Sequence, residues 1–355
     1  MSKTKENIIV TGGYGFIGSH LIKTLNQIEK YNIINIDNLS YASSSQSLEL
    51  IDKKNYTHLD IDISKYKKFN SLLNKYQPKR VFHLAAESHV DRSIDSPDNF
   101  IATNVYGTYN ILEGIKFYLS SLSEAVQKEF KYLHVSTDEV YGSKNTGKSK
   151  ENDNLMPNSP YSSSKAASDL LVRAWNKTYG IPTLITRCTN NYGPWQYPEK
   201  LIPVVISSII NYSKIPIYGN GQQIRDWIHV QDHVDALITL SENNKNLSGE
   251  VYNIGADNEL TNIELVKLIC RICDNKIPND KGSYLKLIDF VDDRPGHDNR
   301  YALNNSKIIE NSDWKPKIEF IKGLENTVEW YVENHSSLSK YFTSKYDGKR
   351  IGLGR

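Results

Sequence analysis

The chain has 355 residues, 39% apolar and 24% charged, enough to bury one large core or two. Its 43 basic and 41 acidic residues leave a formal charge of +2. A disordered chain is excluded, and no overall field exists for nucleic acid or an anionic membrane surface.

The opening "MSKTKENIIV" is polar and runs straight into a strand, without the apolar core of a signal peptide. No apolar run is long enough to span a bilayer, so the expectation is a soluble cytoplasmic protein. "NIIVTGG" (7–13) reads as a strand and "GFIGSHLIKTLNQ" as a helix. "NIINID" (32–37) and "THLDIDI" are the next strands, and "SKYKKFNSLLNKY" is helical. "RVFHLAA" (80–86) is a fourth strand, "NFIATNVYGTYNILEGIKFYL" one long helix, and "KYLHVSTDEV" a fifth strand. "SPYSSSKAASDLLVRAWNKTYG" is helical, and "PTLITRC" returns to strand. Apolar strands alternating with helices imply an α/β fold: a doubly wound, Rossmann-type parallel sheet covered on both faces.

After residue 187 the texture changes. "NNYGPWQYPEK" has the composition of a ligand-facing loop. "DWIHV" and "EVYNIG" are strand-like, and "TNIELVKLICRIC" is a helix with a Thr261–Glu264 capping box. We therefore divide the chain into residues 1–190 and a smaller mixed α/β C-terminal domain, 191–355. Strands near 225–255 are free to rejoin the first sheet. The three cysteines, Cys188, Cys270 and Cys273, make no disulfide framework and imply a reducing compartment. Cys270 and Cys273 form a lone C-x-x-C on a helical pattern. They read as core-facing thiols, since a zinc site needs two further ligands; no metal is expected.

"VTGGYGFIGSHL" carries Gly12, Gly13, Gly15 and Gly18 between a strand and a helix, with Phe16 and Ile17 in the same turn. Glycines there let backbone amides approach a pyrophosphate at the helix N-terminus. Asp37 ends the second strand, 19 residues after Gly18. A carboxylate there accepts from a ribose diol and repels a 2′-phosphate, which favours NAD over NADP. Asp62, with Ile63 beside it, is placed near the adenine.

"PYSSSK" sets Tyr161 and Lys165 at i and i+4, on one helix face. A free tyrosine titrates near about 10, too high for a base at neutral pH. A neighbouring ammonium lowers it, so the pair suits removal of a hydroxyl proton during hydride transfer. "STDEVYG" (136–142) then ends an apolar strand on two carboxylates, Asp138 and Glu139. Taken alone they are equally a solvated strand terminus.

These motifs place the chain by resemblance among the extended short-chain dehydrogenases/reductases. "HLAAESHVDRSI", "STDEVYG", "SPYSSSKAASDLLVRAW", "NNYGPWQYPEKLIP", "YGNGQQIRDW" and "DRPGHDNRYA" narrow it. Together they resemble the bacterial dTDP-glucose 4,6-dehydratases along nearly the whole chain. The sequence departs from that pattern in the peripheral "NLSYASSSQSLEL" and at Trp195 and Tyr197.

The resemblance implies NAD as cofactor and a nucleotide sugar, dTDP-glucose, as substrate. It also implies an opening step of deoxysugar synthesis, of the dTDP-rhamnose type. Tyr161 takes the 4-hydroxyl proton while hydride leaves C4; Thr137 supports the C4 oxygen, and Lys165 reaches the nicotinamide ribose. Glu139 is the base at C5 and Asp138 the acid at O6, after which hydride returns to C6. Two adjacent carboxylates facing one substrate require the strand to end near Thr137, because neighbours on a regular strand point apart. For the nucleotide sugar, the motif positions give Arg225 and Arg294 at the diphosphate. Asn190, Lys200 and Leu201 fall at the pocket edge, with Tyr218 on the base and His297 at the nucleotide. Glu87 and Ser88 line the glucose pocket.

The family implies a homodimer through helices near 100–120 and 161–179. UDP-glucose remains open as substrate. A 4-epimerase would share the tyrosine, lysine and glycines but has no use for Asp138 and Glu139. A non-catalytic member of the superfamily would carry damaged motifs, and all are intact here.

Overall fold

The structure, a computed structural model, describes residues 5–243 and 245–343. Its main sheet is seven-stranded and parallel, built from β1 (Glu6–Thr11), β2 (Tyr31–Ile36), β3 (Tyr56–Leu59), β4 (Arg80–His83), β5 (Lys131–Thr137), β6 (Thr183–Cys188) and β10 (Glu250–Ile254). The order is β10-β6-β5-β4-β1-β2-β3, which places the reversal of winding between β1 and β4. The late strand β10 does rejoin the first sheet, pairing with β6.

Burial explains the continuous apolar strands. Along β1, Ile8 and Val10 enter one core and Ile9 the opposite core, as strand alternation requires. Leu21 and Ile22 of α1 (Phe16–Ile28) share the first core with Val234 and Leu237 of α9 (Val230–Glu242). The second core takes Phe69 and Leu73 of α2 (Phe69–Tyr76), Ile111 and Ile115 of α5 (Thr108–Ser120), and Val172 of α7 (Pro160–Tyr179).

The long helix expected over 99–119 is divided. After the short α3 (Val90–Asp95) and α4 (Pro97–Phe100), residues Ile101–Gly107 form a π-helical segment before α5. At Gly107 any Cβ would meet the Ile63 side chain at 2.7 Å, so the widened segment packs tightly on the turn that follows β3. A further short helix, α6 (Glu124–Glu129), precedes β5.

A third core fills the C-terminal part. It is built by α8 (Leu201–Ile210), α10 (Asn262–Lys276) and α12 (Phe320–Thr343) with the pairs β8 (Ile215–Tyr218) and β12 (Ile288–Val291). A small sheet of β7 (Asn190–Tyr192), β9 (Ile224–His229) and β11 (Glu259–Thr261) lies beside it, and α11 (Ser306–Asn311) packs on β10. The Thr261–Glu264 capping box forms, with the Glu264 amide donating to Thr261 Oγ1 at 3.2 Å. Cys270 and Cys273 are both fully buried in this core.

Candidate active site

One cleft runs along the carboxyl ends of the parallel strands. It gathers residues from the glycine turn, the ends of β2, β4, β5 and β6, the start of α7, and the 189–200 loop. The glycine turn is tight because its backbone must be. Gly12 has φ +74° and lies against the Ala85 backbone; a Cβ at Gly18 would stand 2.1 Å from the Gly12 carbonyl. Gly12, Gly15, Phe16, Ile17 and Gly18 all line the cleft, as do Asp37, Asp62 and Ile63. Asp37 is fixed by its neighbours: Oδ2 accepts from the Tyr14 amide at 2.9 Å, and Oδ1 from the Leu39 amide at 2.8 Å and Ser43 Oγ at 3.0 Å. A glycine cradle at a helix N-terminus, with a carboxylate at the end of the next strand, fits a dinucleotide.

The catalytic candidates converge on the middle of the cleft. Ser159 caps α7 through the Ser162 amide, Pro160 occupies the first turn, and Tyr161 follows at once. Tyr161 and Lys165 are both buried yet line the cleft, and the Lys165 ammonium donates to the Val135 carbonyl at 2.8 Å. Across from them, β5 ends at Thr137 and the chain turns into a 3₁₀ helix, Asp138–Tyr141. The expected break in strand regularity is therefore present. Thr137 caps the turn, accepting from the Glu139 amide at 3.3 Å and donating to Asp138 Oδ1 at 3.2 Å. Thr137 and Glu139 line the cleft; Asp138 lies buried behind them, and its Oδ2 has no hydrogen-bond partner among the described residues.

Burial sets the electrostatics. The Asp138 carboxyl is held well above its ordinary value by burial and then by Glu139. Glu139 is raised by burial too, while Arg294, Arg225 and Lys200 pull it down. Both carboxyls are pushed up, Asp138 the further, and Glu139 is the one with three cations to support its charge. The tyrosine departs from expectation. Its phenol is held well above the ordinary value by burial first and Glu139 second, with the Thr137 hydroxyl acting the other way. In the protein by itself the lysine does not carry that balance; burial also lowers the Lys165 ammonium, to about 8.

Of the substrate candidates, Glu87, Ser88, Asn190 and Lys200 line the same cleft, and Lys200 donates to the Ser88 carbonyl at 2.8 Å. Leu201, Tyr218, Arg225, Arg294 and His297 do not form its wall. Leu201 begins α8 and packs on the third core. Arg294 Nη1 donates to Asp91 Oδ1 at 2.7 Å, and the Tyr218 hydroxyl to Asp91 Oδ2 at 3.0 Å. Arg225 donates to the Asp298 carbonyl at 2.9 Å and sits 4.3 Å over the Tyr301 ring. His297 Nδ1 pairs with Asp293 Oδ1 at 2.7 Å. Both arginines nevertheless act on Glu139, which brings them to the same end of the site.

Sequence reasoning missed several members. Asp91 joins Arg294 to Tyr218. Asn104, inside the π segment, brackets Glu87 through its amide and carbonyl and donates to Ser164 Oγ of α7 at 2.8 Å. Cys188, paired in register with Thr137, also lines the cleft. Nothing local marks these residues; only long-range contacts reveal them.

The sequence model described as GDP-mannose 4,6 dehydratase matches residues 9–327. A dTDP-glucose 4,6-dehydratase of Escherichia coli is 44% identical, over 98% of this chain and 99% of its own. A crystal structure of dTDP-glucose 4,6-dehydratase from Bacillus anthracis in complex with NAD superposes with a TM-score of 0.82 at 40% identity, covering 96% of this chain and 100% of that one. The Streptomyces venezuelae dTDP-glucose 4,6-dehydratase, solved with NAD and a further ligand, gives 0.84 at 37% identity, covering 94% and 99%. With a match of this extent in sequence and fold, the chain belongs to the GDP-mannose 4,6 dehydratase family, and the relatives named above are dTDP-glucose 4,6-dehydratases.

Proposed function

We infer that this chain is an NAD-dependent hydro-lyase that converts dTDP-glucose to its 4-keto-6-deoxy product. What supports the reading most is the Asp138–Glu139 pair on the turn after β5, with Glu139 lining the same cleft as Tyr161 and Asp138 buried behind it. A 4-epimerase has no step for that pair.

NAD, held by Gly12, Gly15, Phe16, Ile17, Gly18, Asp37, Asp62 and Ile63, supplies the hydride acceptor at C4 and the donor at C6, and its nicotinamide charge favours the phenolate. Tyr161 removes the 4-hydroxyl proton, with Thr137 at the same oxygen and Lys165 behind. Once C4 is a ketone, the C5 proton is acidified and Glu139 removes it. Asp138, kept neutral by burial and by its neighbour, gives its proton to the departing C6 hydroxyl. Water leaves between the two hydride transfers. Arg225 and Arg294 would take the diphosphate, with Asn190 and Lys200 at the edge of the cleft. Tyr218 and His297 face the nucleotide, and Glu87 and Ser88 the glucose.

We further propose a cytoplasmic homodimer acting early in deoxysugar synthesis of the dTDP-rhamnose type. No described helix is long and apolar enough to cross a membrane. Along α5, α7 and the π segment, Tyr106, Phe117, Leu170 and Tyr179 are exposed, an apolar face that a second copy would cover. Sedimentation would read the dimer. Incubation with dTDP-glucose and with UDP-glucose separately, scoring the 4-keto-6-deoxy product, tests the activity. Product from dTDP-glucose supports it; product from neither overturns it.

A further inference from the structure

Tyr161, Lys165 and Asp169 stand at i, i+4 and i+8 on α7, along one face of the helix. The first two reach the cleft; Asp169 does not, and lies 2% exposed beneath Lys165. Its Oδ2 accepts from Arg187 Nε of β6 at 2.9 Å. Its Oδ1 lies 3.5 Å from His134 Nε2 of β5, and neither of those atoms has a hydrogen-bond partner among the described residues. Arg187 is itself held from the far side, donating to the Tyr141 hydroxyl at 2.7 Å, which donates to Asn253 Oδ1 at 2.8 Å.

A buried ion pair of this kind is a poor device for stability. Apolar residues of similar volume do as well or better, because both charges lose their hydration. Its position gives it another use. Lys165 is a buried ammonium that donates to the neutral Val135 carbonyl. The groups acting on it are Asp169 on its own helix, His83 of β4, His134 of β5 and Cys188 of β6, with Tyr161 lining the same cleft. Burial keeps His134 neutral, at about 4, and lowers His83 well below its ordinary value. Cys188 is pushed up to about 12 by burial, so it stays a thiol at neutral pH. Asp169 is left as the one anion of this set at neutral pH.

We propose that Asp169 is a positioning residue for the reaction: its buried carboxylate, oriented by Arg187, is the counter-charge that keeps Lys165 an ammonium behind Tyr161. Burial alone would raise the Asp169 carboxyl, but His134, Arg187 and Lys165 together hold it below its ordinary value. Burial lowers the Lys165 ammonium to about 8, and of the groups that hold it up Asp169 is the largest, ahead of Cys188. Arg187 has two effects. It fixes the carboxylate, and it spends part of that negative field on itself.

The proposal rests on the assignment of Lys165 to the chemistry, but its test does not need turnover. In protein labelled with ¹³C at the lysine ε carbon, the Lys165 resonance is identified by its loss in Lys165→Met. Its titration midpoint is then followed by NMR in the unmodified protein, in Asp169→Asn and in Arg187→Gln, with circular dichroism reporting the fold. Asp169→Asn should lower the midpoint by about 1–3 pH units, the range an adjacent opposite charge commands. Arg187→Gln, which keeps a donor but removes the competing cation, should raise it. A merely structural carboxylate would leave the lysine where it was. An unmoved midpoint in folded Asp169→Asn overturns the proposal; if that protein does not fold, an unmoved midpoint in Arg187→Gln does so. Neither result bears on whether dTDP-glucose is dehydrated.

Discussion

The Glu139 amide donates to Thr137 Oγ1 at 3.3 Å, and this contact closes the turn that lifts two consecutive carboxylates off the strand. On a continued strand they would point to opposite sides of the sheet. Thr137→Val should lose the cap, about 1 kcal/mol, together with the hydroxyl that favours the Tyr161 phenolate. We expect a drop in kcat of roughly 10-fold or more with little change in KM, and near-complete retention in Thr137→Ser. Steady-state kinetics on both proteins check this.

Glu139→Gln should remove the proposed base at C5 and leave the oxidation at C4 untouched. The variant should take up substrate and hold its cofactor reduced, while product formation falls by about 10²–10⁴. Single-turnover absorbance of the reduced nicotinamide reads this directly. Normal dehydration by the variant would remove Glu139 from the role.

Asp138 should trade stability for function. Its folded carboxyl titrates well above the ordinary range because of burial and Glu139. Between the unfolded value and that raised value the folded state binds the extra proton, so stability falls as pH rises through this window. Below the ordinary carboxylate range the cost vanishes. Asp138→Asn should therefore raise Tm, by more at pH 8 than at pH 5, while product formation falls by about 10² or more. Calorimetry at the two pH values and a rate assay check the two halves separately.

Gly18→Ala should empty the dinucleotide cradle. The added Cβ would stand 2.1 Å from the Gly12 carbonyl, a backbone atom that has nowhere to go. Protein purified with this change should carry little NAD and melt several degrees lower, about 1–3 kcal/mol of overpacking strain. Cofactor content and Tm are the measurements.

Asp91→Asn should act on binding. One carboxylate holds Arg294 at 2.7 Å and Tyr218 at 3.0 Å, so its loss frees two groups assigned to the nucleotide sugar. KM should rise about 10-fold with a smaller change in kcat.

Much of this architecture is readable from the chain. Ile8, Ile9 and Val10 form a run without polar alternation, which only a sheet covered on both faces can use. The glycine turn and the cap at Thr261 are local, so their sequence patterns carry them. The break at Thr137 follows from requiring two neighbouring carboxylates to face one substrate. The π segment at Ile101–Gly107 is not local: it depends on Gly107 meeting Ile63, 44 residues earlier in the chain. Asp91 likewise finds Arg294 and Tyr218 across separations of 203 and 127 residues. The Tyr161 phenol shifts upward, against the expectation from a neighbouring ammonium, because burial, which pattern cannot reveal, dominates.

The central claim is that water is lost between two transfers of the same hydrogen. dTDP-glucose carrying deuterium at C4 tests it most directly. The expected outcome is a 4-keto-6-deoxy product with that deuterium at C6 and a solvent-derived hydrogen at C5, as read by NMR. A sugar that keeps its deuterium at C4 and its hydroxyl at C6 would contradict it.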